Sequence, residues 1–429
     1  MSRVFRFTLR PRMLAEIIAV GSELLTPYRL DTNSLYLTAE LNKIGIRVIH
    51  KSVVGDSRDD IRATFRHALD RSELIVSCGG LGPTDDDRTR ETVAELLGRD
   101  LRRDDEVLRG IQERFRRFAR TMPEINERQA MVPAGAIVLA NPRGTAPGLW
   151  IEGGGHIVIL LPGPPSELKG IYESEVRARL TRQGIAERLF SRDLRVTGLP
   201  ESEVEQRVRP IYALYPETET TILATPTGIQ LHPRTWSRDP AAAEKMLDEI
   251  VSRMVLALGE HVYSTQGETL EDVVARALTE NRATIAVAES CTGGMLAERL
   301  TNVPGSSSYF LGGVVCYSNE LKSSLVGVPA DIIDSKGAVS SETALALADG
   351  IRKRTGATLG IGITGIAGPG GGTPEKPVGL VHIGIADERG SRERASRFPG
   401  DRERIRFQAT QQALDTVRRY FLFPPHGRA

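Results

Sequence analysis

Cysteine is scarce: Cys78, Cys291 and Cys316 are the only three, too few and too scattered for a disulfide framework or a zinc site. That scarcity fits a reducing, cytoplasmic setting. No run approaches the ~18 apolar residues of a membrane-spanning helix, which argues against a helical membrane protein. The arginine-bearing start, MSRVFRFTLRPRM, lacks an apolar stretch and a small-residue cleavage site, and reads as a short extension ahead of the first strand. Neither charge sign is in excess. With 56 Lys+Arg against 55 Asp+Glu the net charge is +1, so the total lacks the electrostatic footprint of a nucleic-acid binder. Internal repeats and low-complexity tracts are missing as well.

What is present is 429 residues, 40% of them hydrophobic and 26% charged, the profile of two or three soluble globular domains. From 13 to about 170, strand-type runs alternate with helical periodicity: Met13–Val20, Thr32–Ile44, Ile46–Val53, Ile61–Arg71 and Leu74–Ser77. Such alternation predicts a mostly parallel sheet with helices on both faces, and ligands gather at the carboxyl ends of such strands. The third strand runs into CGGLGPTDDDRT, where Gly79, Gly80 and Gly82 let the backbone approach a phosphate. Asp85, Asp86 and Asp87 follow and would repel a bare phosphate, so a divalent cation is the expected mediator. The first strand end adds Glu23 and the second Asp56. A turn followed by a helix with acidic residues in its first turn explains the same residues without a ligand. The GxGxxG dinucleotide fingerprint is absent from the first strand turn.

The stretch from 171 to 263 reads as a strand over Leu189–Thr197, a helix over Glu201–Pro210, a hairpin of Ile222–Thr225 with Gly228–Pro233, and a helix over Ala241–Leu258, after a helix Leu168–Arg182 that leads out of the first domain. That order suits a compact α+β module.

The most specific chemistry lies beyond 264. The run TIAVA breaks at Gly293 and Gly294 into a helical pattern with Met295, Leu296 and Leu300, a strand, tight turn and helix with Ser290 in front. The first N–H groups of that helix have no intrahelical partners and are expected to face an oxyanion. In GGVVCYSNELKSSL a second strand end presents Tyr317 and Asn319, and Lys322 begins a helix. A serine before N–H donors, with a lysine made neutral by burial, is an activated nucleophile. Cys291 is the rival nucleophile, although no histidine lies close in sequence to activate it. The glycine-dense GITGIAGPGGG after the strand Leu359–Ile363 signals close backbone approach to a ligand, and Gly305-Ser306-Ser307-Ser308 is a loop that could border a phosphate. The tail PPHGRA, with His426, is expected to be disordered.

AESCTGG, YSNELK and GITGIAGPGGG closely resemble the nicotinamide-nucleotide amidohydrolase domain of the competence/damage-inducible protein A (CinA) family. GSELL, DTNSLYL, VVGD, GGLGPTDDDRT and LPGPPSEL resemble that family's N-terminal molybdopterin-binding-like domain, and the central region its KH-type module. The implied architecture is α/β over 13–170, KH-like α+β over 171–263 and an α/β amidohydrolase domain over 264–424. The resemblance implies deamidation of nicotinamide mononucleotide, with Ser290 as nucleophile, Lys322 as base and Tyr317 orienting and shuttling the proton. Thr292, Gly293, Gly294, Asn319, Thr364, Gly365 and Gly368 would hold the substrate, with Arg402 or Arg404 on its phosphate. No cofactor is implied there. For the N-terminal domain it implies an ADP-ribose pyrophosphatase dependent on Mg²⁺ or Co²⁺, with Gly79, Gly80, Gly82 and Thr84 on the phosphates and Glu23, Asp56, Asp85, Asp86 and Asp87 on metal or water. Thr26-Pro27-Tyr28 replaces a glycine that many relatives carry after GxELL. A homodimer is also implied. The competing reading is a non-catalytic adaptor in DNA uptake or recombination whose N-terminal domain only binds a phosphate ligand, and the missing GxxG loop in 189–263 weighs against nucleic-acid binding.

Overall fold

Nearly every residue of β1 (Met13–Val20) is buried, as the run MLAEIIAV requires of a strand covered on both faces. A computed structural model describes residues 12–422; most of the N-terminal stretch, and the tail with His426, lie outside the described residues. β1 pairs in parallel with β2 (Ile46–Val54) and β3 (Leu74–Cys78). The sheet runs β2-β1-β3-β6-β5-β4, with β6 (His156–Leu161) parallel to β3, and β5 (Gly148–Gly153) and β4 (Ile137–Leu139) antiparallel.

Alternation along β1 divides the core in two. Met13, Ala15, Ile17 and Ala19 pack with Leu37 and Leu41 of α1 (Thr32–Lys43) and with Leu168 of α5 (Pro165–Ile171). Ile18 and Val20 pack with Ile61 and Phe65 of α2 (Arg58–Leu69) and Val93 of α3 (Thr89–Leu96). The exception in β1 is Glu16, fully buried, whose carboxylate accepts from Arg71 Nε and Nη2 at 2.8 Å each. Asp31 caps α1 by accepting from the Ser34 N–H at 2.9 Å. A helix the sequence patterns did not single out, α4 (Asp105–Arg117), follows α3. The helix expected over Leu168–Arg182 starts earlier, at Pro165, where proline suits a first turn, and passes through a π-type segment, Tyr172–Val176.

Cα packing gathers the chain into two compact units: the chain through Phe190 with Trp236–Ala243, and Ser191–Thr235 with Glu244 onward. The single strand expected over Leu189–Thr197 is two pieces, Arg188–Ser191 and β7 (Leu194–Val196), broken at Arg192 and Asp193, whose side chains turn to other partners, Asp248 and Arg195. β7 lies between β9 (Gly228–Ser237) and β10 (Val262–Ser264), and β8 (Glu219–Thr225) completes the antiparallel order β8-β9-β7-β10, with α6 (Glu201–Tyr212) and α7 (Pro240–Leu258) as its helices.

The last sheet runs β12-β11-β13-β14-β15, comprising Phe310–Val315, Ile285–Glu289, Leu359–Gly365, Leu380–Asp387 and Gly390–Arg397. The first three are parallel. Ile285 and Val287 face α8 (Leu270–Glu280) and α13 (Arg402–Leu422), while Ala286 and Ala288 face α10 (Asn319–Val326) and α12 (Ser341–Thr355). β13 alternates glycine because α12 rests directly on it: a Cβ at Gly360 would stand 2.1 Å from the Ala348 carbonyl oxygen. Ser340 caps α12 through the Thr343 N–H at 3.2 Å. α9 (Met295–Thr301) follows the turn after β11, and a further helix, α11 (Ala330–Lys336), precedes α12.

Candidate active site

The carboxyl ends of β11, β12 and β13 open onto a cavity of about 280 Å³ lined by Ser290, Tyr317, Asn319, Lys322, Thr364 and Arg402, with Gly365, Gly368 and Cys291 on its walls. Three neighbouring parallel strands thus deliver a serine, a lysine and a glycine-rich loop to one place, as open parallel sheets do. Ser290 is 8% exposed and Lys322 only 2%. The Lys322 ammonium donates to the Tyr317 carbonyl oxygen at 3.0 Å, and burial lowers its pKa below the ordinary lysine value. Burial acts in the opposite sense on Cys291, pushing its thiol up to about 12, so the thiolate that would make it a nucleophile is disfavoured.

Around this pair, Thr364 donates its hydroxyl to the Ala338 carbonyl at 2.6 Å. Arg402 spans the rim, donating to the Gly368 carbonyl at 2.9 Å and to the Tyr317 hydroxyl at 3.1 Å. The helix-start N–H groups that the sequence assigns to an oxyanion are already taken. Glu289, 1% exposed at the end of β11, accepts from Gly294 N–H and Leu296 N–H through Oε2, both at 3.1 Å, and from Ala297 N–H through Oε1 at 2.8 Å. The donors left beside Ser290 are the amides of Cys291 and Thr292, which have no acceptor on another residue among the described residues.

A second cavity, of about 330 Å³, lies at the carboxyl ends of β1, β2 and β3, where Glu23, Asp56, Gly79, Gly80, Gly82, Asp86 and Asp87 meet. Ser22 and Asp56 tie two of these ends together, Ser22 N–H to Asp56 Oδ2 at 2.9 Å and Asp56 N–H to Ser22 Oγ at 3.2 Å. Asp87 turns back onto its own loop, accepting from the Thr84 N–H at 3.0 Å and from the Thr84 hydroxyl.

A family described as CinA C-terminal domain matches residues 267–421, one described as probable molybdopterin binding domain matches 16–182, and one described as damage-inducible protein CinA KH domain matches 191–264. A CinA-like protein of Koribacter versatilis is 50% identical over 415 residues, covering 95% of this chain and 99% of the relative. The chain belongs to the CinA family. A crystal structure of CinA from Thermoplasma acidophilum is 36% identical, covering 39% of this chain and 99% of that one, with a TM-score of 0.37. A competence/damage-inducible protein from Agrobacterium tumefaciens is 38% identical, covering 34% and 91%, with a TM-score of 0.34.

In this CinA chain the fold brings Ser290, Tyr317, Asn319, Lys322, Thr364, Gly365, Gly368 and Arg402 to one cavity. It does not bring Thr292, Gly293, Gly294 or Arg404 to the cavity wall. Thr292 is fully buried with its hydroxyl unpartnered, Gly294 spends its N–H on Glu289, and Arg404 is exposed on the first turn of α13. The Ser306–Ser308 turn is not on the wall either. Tyr317 meets Lys322 through its carbonyl, while its hydroxyl pairs with Arg402. At the N-terminal cavity Thr84 and Asp85 are off the wall; Asp85 points into solvent with Arg128 at 3.3 Å. Among the described residues no three His, Cys, Asp or Glu side chains stand close enough to hold a metal ion. Of the five predicted carboxylates, Glu23, Asp56, Asp86 and Asp87 line this cavity, Asp56 accepting from Ser22 and Asp87 from Thr84, while Asp85 leans outward to Arg128. Glu289 and Arg406 were missed in the sequence: one reads as a strand-end polar residue, and the other lies 114 positions from the carbonyl it holds.

Proposed function

We propose that the C-terminal domain deamidates nicotinamide mononucleotide to nicotinate mononucleotide, releasing ammonia. The observation that carries this reading is a lysine 2% exposed, with its pKa lowered by burial, in the same cavity as a strand-end serine. Neutral Lys322 takes the Ser290 hydroxyl proton as the oxygen attacks the carboxamide carbon. The negative oxygen faces the amide of Cys291, which lies on the cavity wall. Lys322 then returns the proton to the leaving nitrogen, ammonia departs, and water cleaves the remaining ester to the carboxylate. Arg402, on the rim, pairs with the nucleotide phosphate. Ammonia release from nicotinamide mononucleotide, and little from free nicotinamide, is the expected result, with loss of turnover in Lys322→Ala. A Lys322→Ala variant with wild-type turnover contradicts the reading.

For the N-terminal cavity the reading is a pyrophosphate ligand such as ADP-ribose, held on the Gly79-Gly80-Leu81-Gly82 backbone. Incubation with ADP-ribose and Mg²⁺ or Co²⁺, followed by an assay for AMP, separates hydrolysis from binding alone.

A further inference from the structure

The segment that follows Ser290 is held by two ions of opposite sign. On one side the buried Glu289 carboxylate uses both oxygens on the N–H groups of Gly294, Leu296 and Ala297, at 3.1, 3.1 and 2.8 Å. On the other, Arg406 of α13 donates from Nε and Nη2 to the Thr292 carbonyl oxygen, at 3.3 and 2.7 Å. From Ser290 to Gly293 the chain makes one tight turn, with the Gly293 N–H on the Ser290 carbonyl at 3.1 Å. Neither Glu289 nor Arg406 lines the cavity.

We infer that Glu289 and Arg406 are positioning residues that together aim the Ser290 hydroxyl at the reacting carbon and the Cys291 amide at the oxygen that becomes negative there. Gly293 and Gly294 sit at φ of 62° and 95°, a left-handed pair that glycine adopts at little cost but that leaves an untethered segment many alternatives. Charge-assisted bonds to main-chain groups remove those alternatives. A helix cap alone would need one oxygen; here both are engaged, and a cation on another helix grips the Thr292 carbonyl within the turn. The benefit is kinetic, since a displacement of about 1 Å at a reacting group costs about 100-fold in rate. The inference rests on the reading of Ser290 as nucleophile.

The test uses the full chain carrying Arg406→Lys, Arg406→Ala or Glu289→Gln. Expected is a fall in kcat for nicotinamide mononucleotide of about 10- to 100-fold, the worth of a charged hydrogen bond, with KM within about twofold. Labelling of Ser290 by a fluorophosphonate should slow in parallel, and added guanidinium ion should restore part of the Arg406→Ala rate. Melting curves identify any variant that fails to fold, in which case Arg406→Lys, which keeps the charge but loses the two-pronged grip, carries the decision. Unchanged kcat and labelling, or a change confined to KM, overturns the inference. If the wild type labels at Ser290 without turning over the nucleotide, and the variants label slowly, the positioning stands and the substrate assignment falls; a wild type that does not label at Ser290 overturns both.

Discussion

At the scale of single residues the site turns on the ionisation of Lys322. Its pKa in the folded chain lies below the ordinary 10.5 because burial disfavours the ammonium. Activity therefore rises with pH as Lys322 loses its proton and levels off above its lowered pKa; a pH profile of kcat/KM measures this, and an activity that falls over that range contradicts it. Stability carries the matching sign. Between the lowered pKa and 10.5 the unfolded chain binds more protons than the folded one, so this group opposes folding there, less so as pH rises towards 10.5. Lys322→Met is thus expected to cut turnover about 10³-fold while raising the melting temperature at pH 7, with the gain shrinking at high pH. A melting temperature that drops would contradict the burial argument. The same burial sets Cys291 apart, with a thiol pushed up to about 12.

At the scale of elements, position follows from strand ends and from how closely helices approach them. Gly362 of β13 lies under α12, where an added Cβ would meet the Ala344 carbonyl oxygen at 2.5 Å and the Ala348 nitrogen at 2.6 Å. Gly362→Ala should cost about 1–3 kcal/mol, from overpacking against main chain that cannot yield, as read by denaturant unfolding. Much of this was legible in the sequence. The buried runs at Met13 and Ile285 and the apolar spacing of Thr32–Lys43 mark their elements through simple periodicity. The destination of a charge was not legible. Glu289 looks like any polar residue where a strand stops, and only folding shows that it fills the helix start reserved for an oxyanion. The aspartates after Gly82 illustrate the same limit, since spacing gives their number but not that Asp87 turns inward to Thr84 while Asp85 leans out towards Arg128. Local periodicity reports burial, and pairing between distant groups needs the third dimension.

At the scale of the whole molecule, the two cavities fall in different compact units. Each is built at parallel strand ends, but from unlike residues: glycines and carboxylates in one, a serine, a lysine and an arginine in the other. Ser290→Ala is accordingly expected to leave ADP-ribose binding unchanged in a calorimetric titration, and a lost or altered isotherm would show that the two sites do not act separately. Among the described residues no helix is long and apolar enough to cross a membrane. The most direct measurement is ammonia release from nicotinamide mononucleotide by the wild type, Ser290→Ala and Cys291→Ala side by side. The account predicts that turnover disappears with the serine hydroxyl and survives loss of the thiol; turnover that survives without Ser290 and disappears without Cys291 would contradict it.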